Sequence, residues 1–156
     1  MKIIGFSIKK ILAEVEESKK TNIEVTSNLN LEDVKETKIE STKQQSIIIS
    51  FNFYVDYKPN VAKIEFKGRL ILLDDENKAE EIVKSWKQRK LPEEIKIPVL
   101  NYILEKCNIK SLEIEEELGL PLHIPLPKLG ARIISENPEN LDKKEPKGKK
   151  PASYTG

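Results

Sequence analysis

The chain has 156 residues, 38% of them hydrophobic and 34% charged, with basic and acidic side chains nearly balanced to a formal net charge of +1. That length suits one good core rather than two, the balanced signs exclude a disordered polyelectrolyte, and so small a charge gives no global pull toward nucleic acid or membrane. No apolar run approaches a bilayer span, Met1 to Gly5 leads into alternating sequence rather than a signal peptide, and the lone Cys107 excludes an internal disulfide, so the expected setting is the cytoplasm.

The first half alternates with period two. Ile4, Phe6 and Ile8 lie on one parity and Ile11, Ala13 and Val15 on the other, which predicts one long strand with a bulge near Lys9-Lys10. After the polar stretch 16–22, Ile23, Val25, Leu29 and Leu31 predict a second strand. The third is the clearest: Ile47, Ile49, Phe51, Phe53, Val55 and Tyr57 line one face, and Ile48 and Tyr54 join Ser50, Asn52 and Asp56 on the other. Lys58-Pro59-Asn60 supplies a tight turn, with Pro fixing φ and Asn tolerating a left-handed position. Ile64, Phe66, Leu70 and Leu72 then form a fourth strand, with Gly68 the place for a bend or bulge.

At Asp74-Asp75 the period changes. These acids suit a helix N-terminus, where a carboxylate accepts orphan backbone N–H groups. Ala79, Ile82, Val83 and Trp86 follow at helical spacing until Leu91-Pro92 breaks the helix. A second helix is expected from about Pro98, a residue tolerated in a first turn. Its stripe is Val99, Leu100, Ile103, Leu104 and Cys107, continuing to Leu118 with a partial break at Asn108, and Gly119 stops it.

Residues Leu120 to Pro127 alternate Pro with aliphatic side chains. They can neither extend a helix nor form a central strand, so they predict an extended strap whose aliphatic groups still seek burial. The expected fold is therefore α+β: a four-stranded antiparallel sheet followed by two helices and a Pro-rich strap, in a domain over residues 1–130. Residues 131–156 lose apolar content and read as a disordered, Lys-rich tail.

The sequence offers no catalytic constellation. Cys107 sits on an apolar helix stripe, and nothing in the sequence brings the only histidine, His123, beside it as an activating base. His123 alone is a poor metal site, since zinc takes about four N/S ligands, and it reads as an ordinary surface or half-buried histidine. Asp74 to Asn77 lacks the spaced oxygens and glycine of a calcium loop. The run Glu113, Glu115, Glu116 and Glu117 reads as a solvated helix face. With six glycines and no Gly-rich phosphate loop, nucleotide binding is not expected. The expectation is a non-enzyme with neither cofactor nor metal.

Two binding surfaces remain. The cluster Lys84 to Lys90 surrounds Trp86 with basic residues, and with the tail lysines it offers non-specific phosphate contacts to RNA or a ribosome. Trp86 lies one helical turn from Ile82, which favours a core position over a base-stacking one. The sheet carries apolar side chains on both parities. Ile48 and Tyr54, left over once one face meets the helices, suggest a second layer: a partner subunit or an extended peptide.

The order of four strands and two helices, the hairpin from Phe51-Asn52-Phe53-Tyr54-Val55 to Phe66, and the segment Leu118-Gly119-Leu120-Pro121-Leu122-His123-Ile124-Pro125-Leu126-Pro127 together resemble the SecB family of export chaperones. The archaeal SecB-like proteins are similar in a Trp-bearing helix, a Leu-Pro break, an Asn in the next helix and a Leu-Pro strap, here Trp86, Leu91-Pro92, Asn101 and Leu120-Pro121. The resemblance spans roughly residues 1 to 130 and includes no short diagnostic motif. It implies homo-oligomers built through sheet and helix contacts and ATP-independent binding of non-native polypeptides in apolar grooves, with Ile48, Phe51, Phe53, Tyr54, Leu122 and Ile124 as candidate peptide-binding residues. The family's role in protein transport follows less readily. The zinc-binding Cys/His tail of some bacterial members is absent here, and the near-neutral charge departs from their acidity, which argues against docking to a SecA-type motor. Abundant Lys, Glu and Ile with one methionine point to a thermophilic source.

Overall fold

The structure, a computed structural model, describes residues 1–16, 22–38 and 44–130. Strands β1 (Lys2–Val15), β2 (Glu24–Lys38), β3 (Gln45–Lys58) and β4 (Ala62–Asp74) precede helices α1 (Glu76–Trp86) and α2 (Glu93–Leu118). The strands form one antiparallel sheet in the order β1-β4-β3-β2, so β1 and β2 are its edges. The compact unit covers Met1–Ile124, and Pro125 onward clusters as a separate unit. The expectation of a disordered tail over residues 131–156 lies outside the described residues. No helix among the described residues is long and apolar enough to cross a membrane.

Strand parity sets the two faces of the sheet. Leu29, Phe53, Phe66 and Ile11 form one cross-strand row, and Leu31, Phe51, Gly68 and Ile8 the next. Their central members are fully buried beneath Ala79 and Ile82 of α1 and Val99, Ile103 and Cys107 of α2. Burying a side chain of that size contributes roughly 1.5–3 kcal/mol, so the register of β3 and β4 is strongly fixed. The opposite face, with Ile48, Tyr54 and Ile71, is half-buried.

The irregularities fall where the backbone needs them. β1 shifts register between Ile8 and Lys10, beside Gly68, and again between Ile3 and Gly5. Gly68 itself is regular. A Cβ there would stand 2.5 Å from Cζ of Phe51 and 2.6 Å from the Ser7 carbonyl, so glycine makes room for the Phe51 ring. The β3–β4 turn carries Asn60 at φ 52, with the Val61 N–H donating to the Tyr57 carbonyl across 2.9 Å.

The helix ends differ from expectation. Asp75 occupies the N-cap of α1 without a side-chain cap. Asp74 instead accepts from the Asp75 N–H at 2.9 Å and pairs with the N-terminal amine at 3.3 Å. α2 begins at Glu93, not near Pro98, and runs unbroken through Asn108 to Gly119, whose φ of 65 supplies the left-handed cap. Pro98 lies inside the helix on its exposed side, where the carbonyl left without a donor meets water.

Candidate functional site

A groove of about 580 Å³ opens where the inner face of β2 meets the α1–α2 connection. Leu29 and Leu31 of β2, Trp86 at the end of α1, Leu91 of the connection and Leu100 of α2 supply its apolar lining. Asn30, Arg89, Lys90, Glu93 and Lys96 supply the polar lining.

The connection is held by identifiable contacts. β2 bulges between Leu31 and Asp33, which leaves Glu32 as the extra residue. Arg89, in the left-handed region at φ 57, donates from Nη1 to the Glu32 carbonyl across 2.9 Å and lays its guanidinium 5.1 Å over the Trp86 ring. The Glu32 carboxylate pairs with Lys67 at 3.1 Å. A bulge, a side chain-to-backbone bond and a cation–π contact thus tie the α1–α2 connection to β2. Beside it, the outer edge of β2 has no partner strand among the described residues, so its N–H and C=O groups offer a template for one more strand. Trp86 is half-buried in groove lining rather than in the core proper, and with Arg89 over its face it is a poor platform for a nucleic-acid base.

The end of α2 holds a second polar constellation. Val99, Ile103, Cys107, Ser111 and Glu115 are buried at four-residue spacing, so the stripe expected to end in apolar residues ends in a carboxylate. Glu115 is fully buried, and this corrects the reading of the Glu113 to Glu117 run as wholly solvated. Its Oε1 shares a hydrogen bond with Nδ1 of His123 at 2.6 Å, and its Oε2 accepts from the His123 backbone N–H at 3.2 Å. Nε2 of His123 lies 3.0 Å from Oδ1 of Asn108, and the ring meets Phe53 edge-on at 6.3 Å. The residue as a whole is half-buried, as expected, but its side chain is only 2% exposed, so the ring itself is turned inward.

Tyr57 donates its hydroxyl to the Pro121 carbonyl at 2.7 Å. Burial, reinforced by the nearby charge of Glu115, holds the Tyr57 phenol above its ordinary value. These bonds fix the part of the strap from Leu120 to Ile124, and the aliphatic Leu120 packs on the core. Among the described residues, no base is hydrogen-bonded to Cys107. Burial pushes its thiol up to about 12, opposite to what a nucleophile needs.

Both the Tyr57 and Cys107 groups are favoured in their protonated forms by the fold. Their contribution is therefore intact below the ordinary thiol range and declines as pH rises through it. The urea midpoint is expected to stay level to about pH 8 and fall above about pH 9. Cys107→Ala should flatten the first part of that decline, as measured by the slope of midpoint against pH.

The residues expected from sequence to bind peptide are not gathered in one place. Phe51 and Phe53 are fully buried between sheet and helices, stacked on Phe6 and Phe66 at 5.4 and 6.0 Å. Ile48 and Tyr54 lie on the opposite face. Ile48 pairs with Ile71, and Tyr54 accepts from Asn28 at 3.2 Å with Lys63 over its ring. Leu122 is 37% exposed and Ile124 half-buried, both in the strap. Sequence reasoning missed the groove, whose signals were the Leu29/Leu31 parity and the Trp86/Arg89 spacing.

No family model matches the sequence, and no curated protein matches it. Among solved structures, the chain is similar to the Rv1957 SecB-like chaperone of Mycobacterium tuberculosis, solved in complex with a ChAD peptide from the Rv1956 HigA1 antitoxin. The two are 16% identical, with 83% of this chain and 90% of that chain covered and a TM-score of 0.48.

Proposed function

We propose that the protein is an ATP-independent, chaperone-like binder of unfolded or extended polypeptide. The observation that carries this reading is the juxtaposition of an apolar groove, lined by Leu29, Leu31, Trp86, Leu91 and Leu100, with the unpaired edge of β2. A strand added at that edge would place alternate side chains toward the groove while its backbone pairs with β2. Apolar burial supplies affinity and main-chain pairing supplies tolerance of sequence, which is what a binder of many non-native chains requires. The strap residues Leu122 and Ile124 and the outer-face residues Ile48 and Tyr54 extend the apolar surface open to a client or to a second copy. Ile11 and Val15, 51% and 46% exposed on the edge strand β1, favour self-association there.

Leu31→Asp and Leu100→Asp test the groove directly. Each should weaken suppression of client aggregation about tenfold, the value of one lost apolar side chain, with unchanged circular dichroism. Full protection by both variants would refute the groove. For a client without charged flanks, affinity should change little between low and high salt. A ribosome- or RNA-associated role through residues 84–90 would instead lose affinity steeply with salt.

A further inference from the structure

The groove is apolar within but not neutral around its lining. Arg89, Lys90 and Lys96 contribute three cations against the single carboxylate of Glu93. The acids nearest in sequence on β2 are already engaged: Glu32 pairs with Lys67 at 3.1 Å and Asp33 with Lys35 at 2.8 Å. Among the described residues, neither Lys90 nor Lys96 has an ion-pair partner. Arg89 is committed through Nη1 to a backbone carbonyl, and its charge adds to the Lys35 hydrogen bond that holds the Asp33 carboxyl below its ordinary value, so the free cations of the rim are Lys90 and Lys96.

A strand lying along β2 alternates its side chains, so an apolar set facing the groove leaves neighbouring side chains and flanks toward its rim. Resting on the reading of this groove as a polypeptide site, we infer that it selects extended segments whose apolar residues are flanked by Asp or Glu. Lys90 and Lys96 act as the specificity-determining residues. Acidic flanks complete the charge pattern of the rim, whereas basic flanks meet like charge beside an apolar surface that weakens screening.

The test uses the full chain and the fluorescence of its single tryptophan, Trp86, which lines the groove. Short peptides share one alternating Leu and Thr core and differ only in flanks of Asp, Ser or Lys. The Asp-flanked peptide should bind about tenfold more tightly than the Lys-flanked one at low ionic strength, since several partly exposed charge contacts each contribute a fraction of that. High salt should compress the difference, and the K90E/K96E variant should invert the order. Equal affinities for all three peptides, or an order unchanged in K90E/K96E, would overturn the selectivity and leave the groove reading standing. Failure of all three to bind would overturn both. A response to poly-uridylate that no peptide competes away would assign the rim to RNA and overturn the inference as well.

Discussion

Glu115→Ala should destabilise the protein by about 3–5 kcal/mol, the usual consequence of removing one partner from a buried pair. The carboxyl group is fully buried, hydrogen-bonded to Nδ1 and accepting from the backbone N–H of His123, so its loss leaves both of these polar groups without their partner. The His123 side chain is itself 2% exposed and cannot turn out to solvent without lifting the strap from Phe53 and Asn108. The double variant E115L/H123L should recover much of the loss, because an apolar pair of similar volume carries no desolvation penalty. Urea denaturation of E115L, H123L and E115L/H123L gives the coupling. Single-variant effects below about 1 kcal/mol, or strict additivity, would mean that the network does not hold the strap.

Gly68→Ala should cost about 3 kcal/mol, at the upper end for added volume in a packed core. The new Cβ would stand 2.5 Å from the Phe51 ring and 2.6 Å from the carbonyl oxygen of Ser7. The ring can be trimmed, but the carbonyl belongs to the paired backbone of β1 and cannot yield without breaking the ladder. Phe51→Leu in the same chain should therefore restore only part of the loss. Gly5→Ala is the control: the nearest atoms to its Cβ would be those of the Ile71 side chain, at 3.2 Å and beyond, and a flexible aliphatic group can move. Thermal unfolding of the variants should rank G68A far below G5A. Equal midpoints would contradict the packing described for Phe51.

Much of the fold was legible because burial enforces parity. The set Ile47, Ile49, Phe51, Phe53, Val55 and Tyr57 is fully or almost fully buried, so its alternation is nearly free of exceptions. The β1 bulge was visible where the apolar parity switches, at Lys9-Lys10, and Asn60 and Gly119 take the left-handed conformations that their chemistry suggested. The start of α2 was hidden. Pro92 both ends the α1 connection and precedes Glu93, and an exposed Pro98 costs the helix less than an interior one.

The sites were less legible for a geometrical reason. Leu29 and Leu31 meet Trp86 and Leu100 only once the sheet order places β2 at an edge and α1 returns across it, and no local period encodes that meeting. Glu115 was within reach of sequence reasoning. It continues the four-residue spacing from Cys107 through Ser111, but its charge and its acidic neighbours made it look solvated. Aromatic character likewise drew attention to Phe51 and Phe53, where size and parity had already committed them to the core.

Hydrogen exchange of the full chain, with and without a permanently unfolded carboxymethylated polypeptide, tests the proposal of a polypeptide-binding groove most directly. The account predicts client-dependent protection of the β2 amides around Leu29 to Leu31 and of the connection from Trp86 to Leu91, lost in Leu31→Asp. Protection confined to other surfaces, or none while the client stays bound, would contradict it.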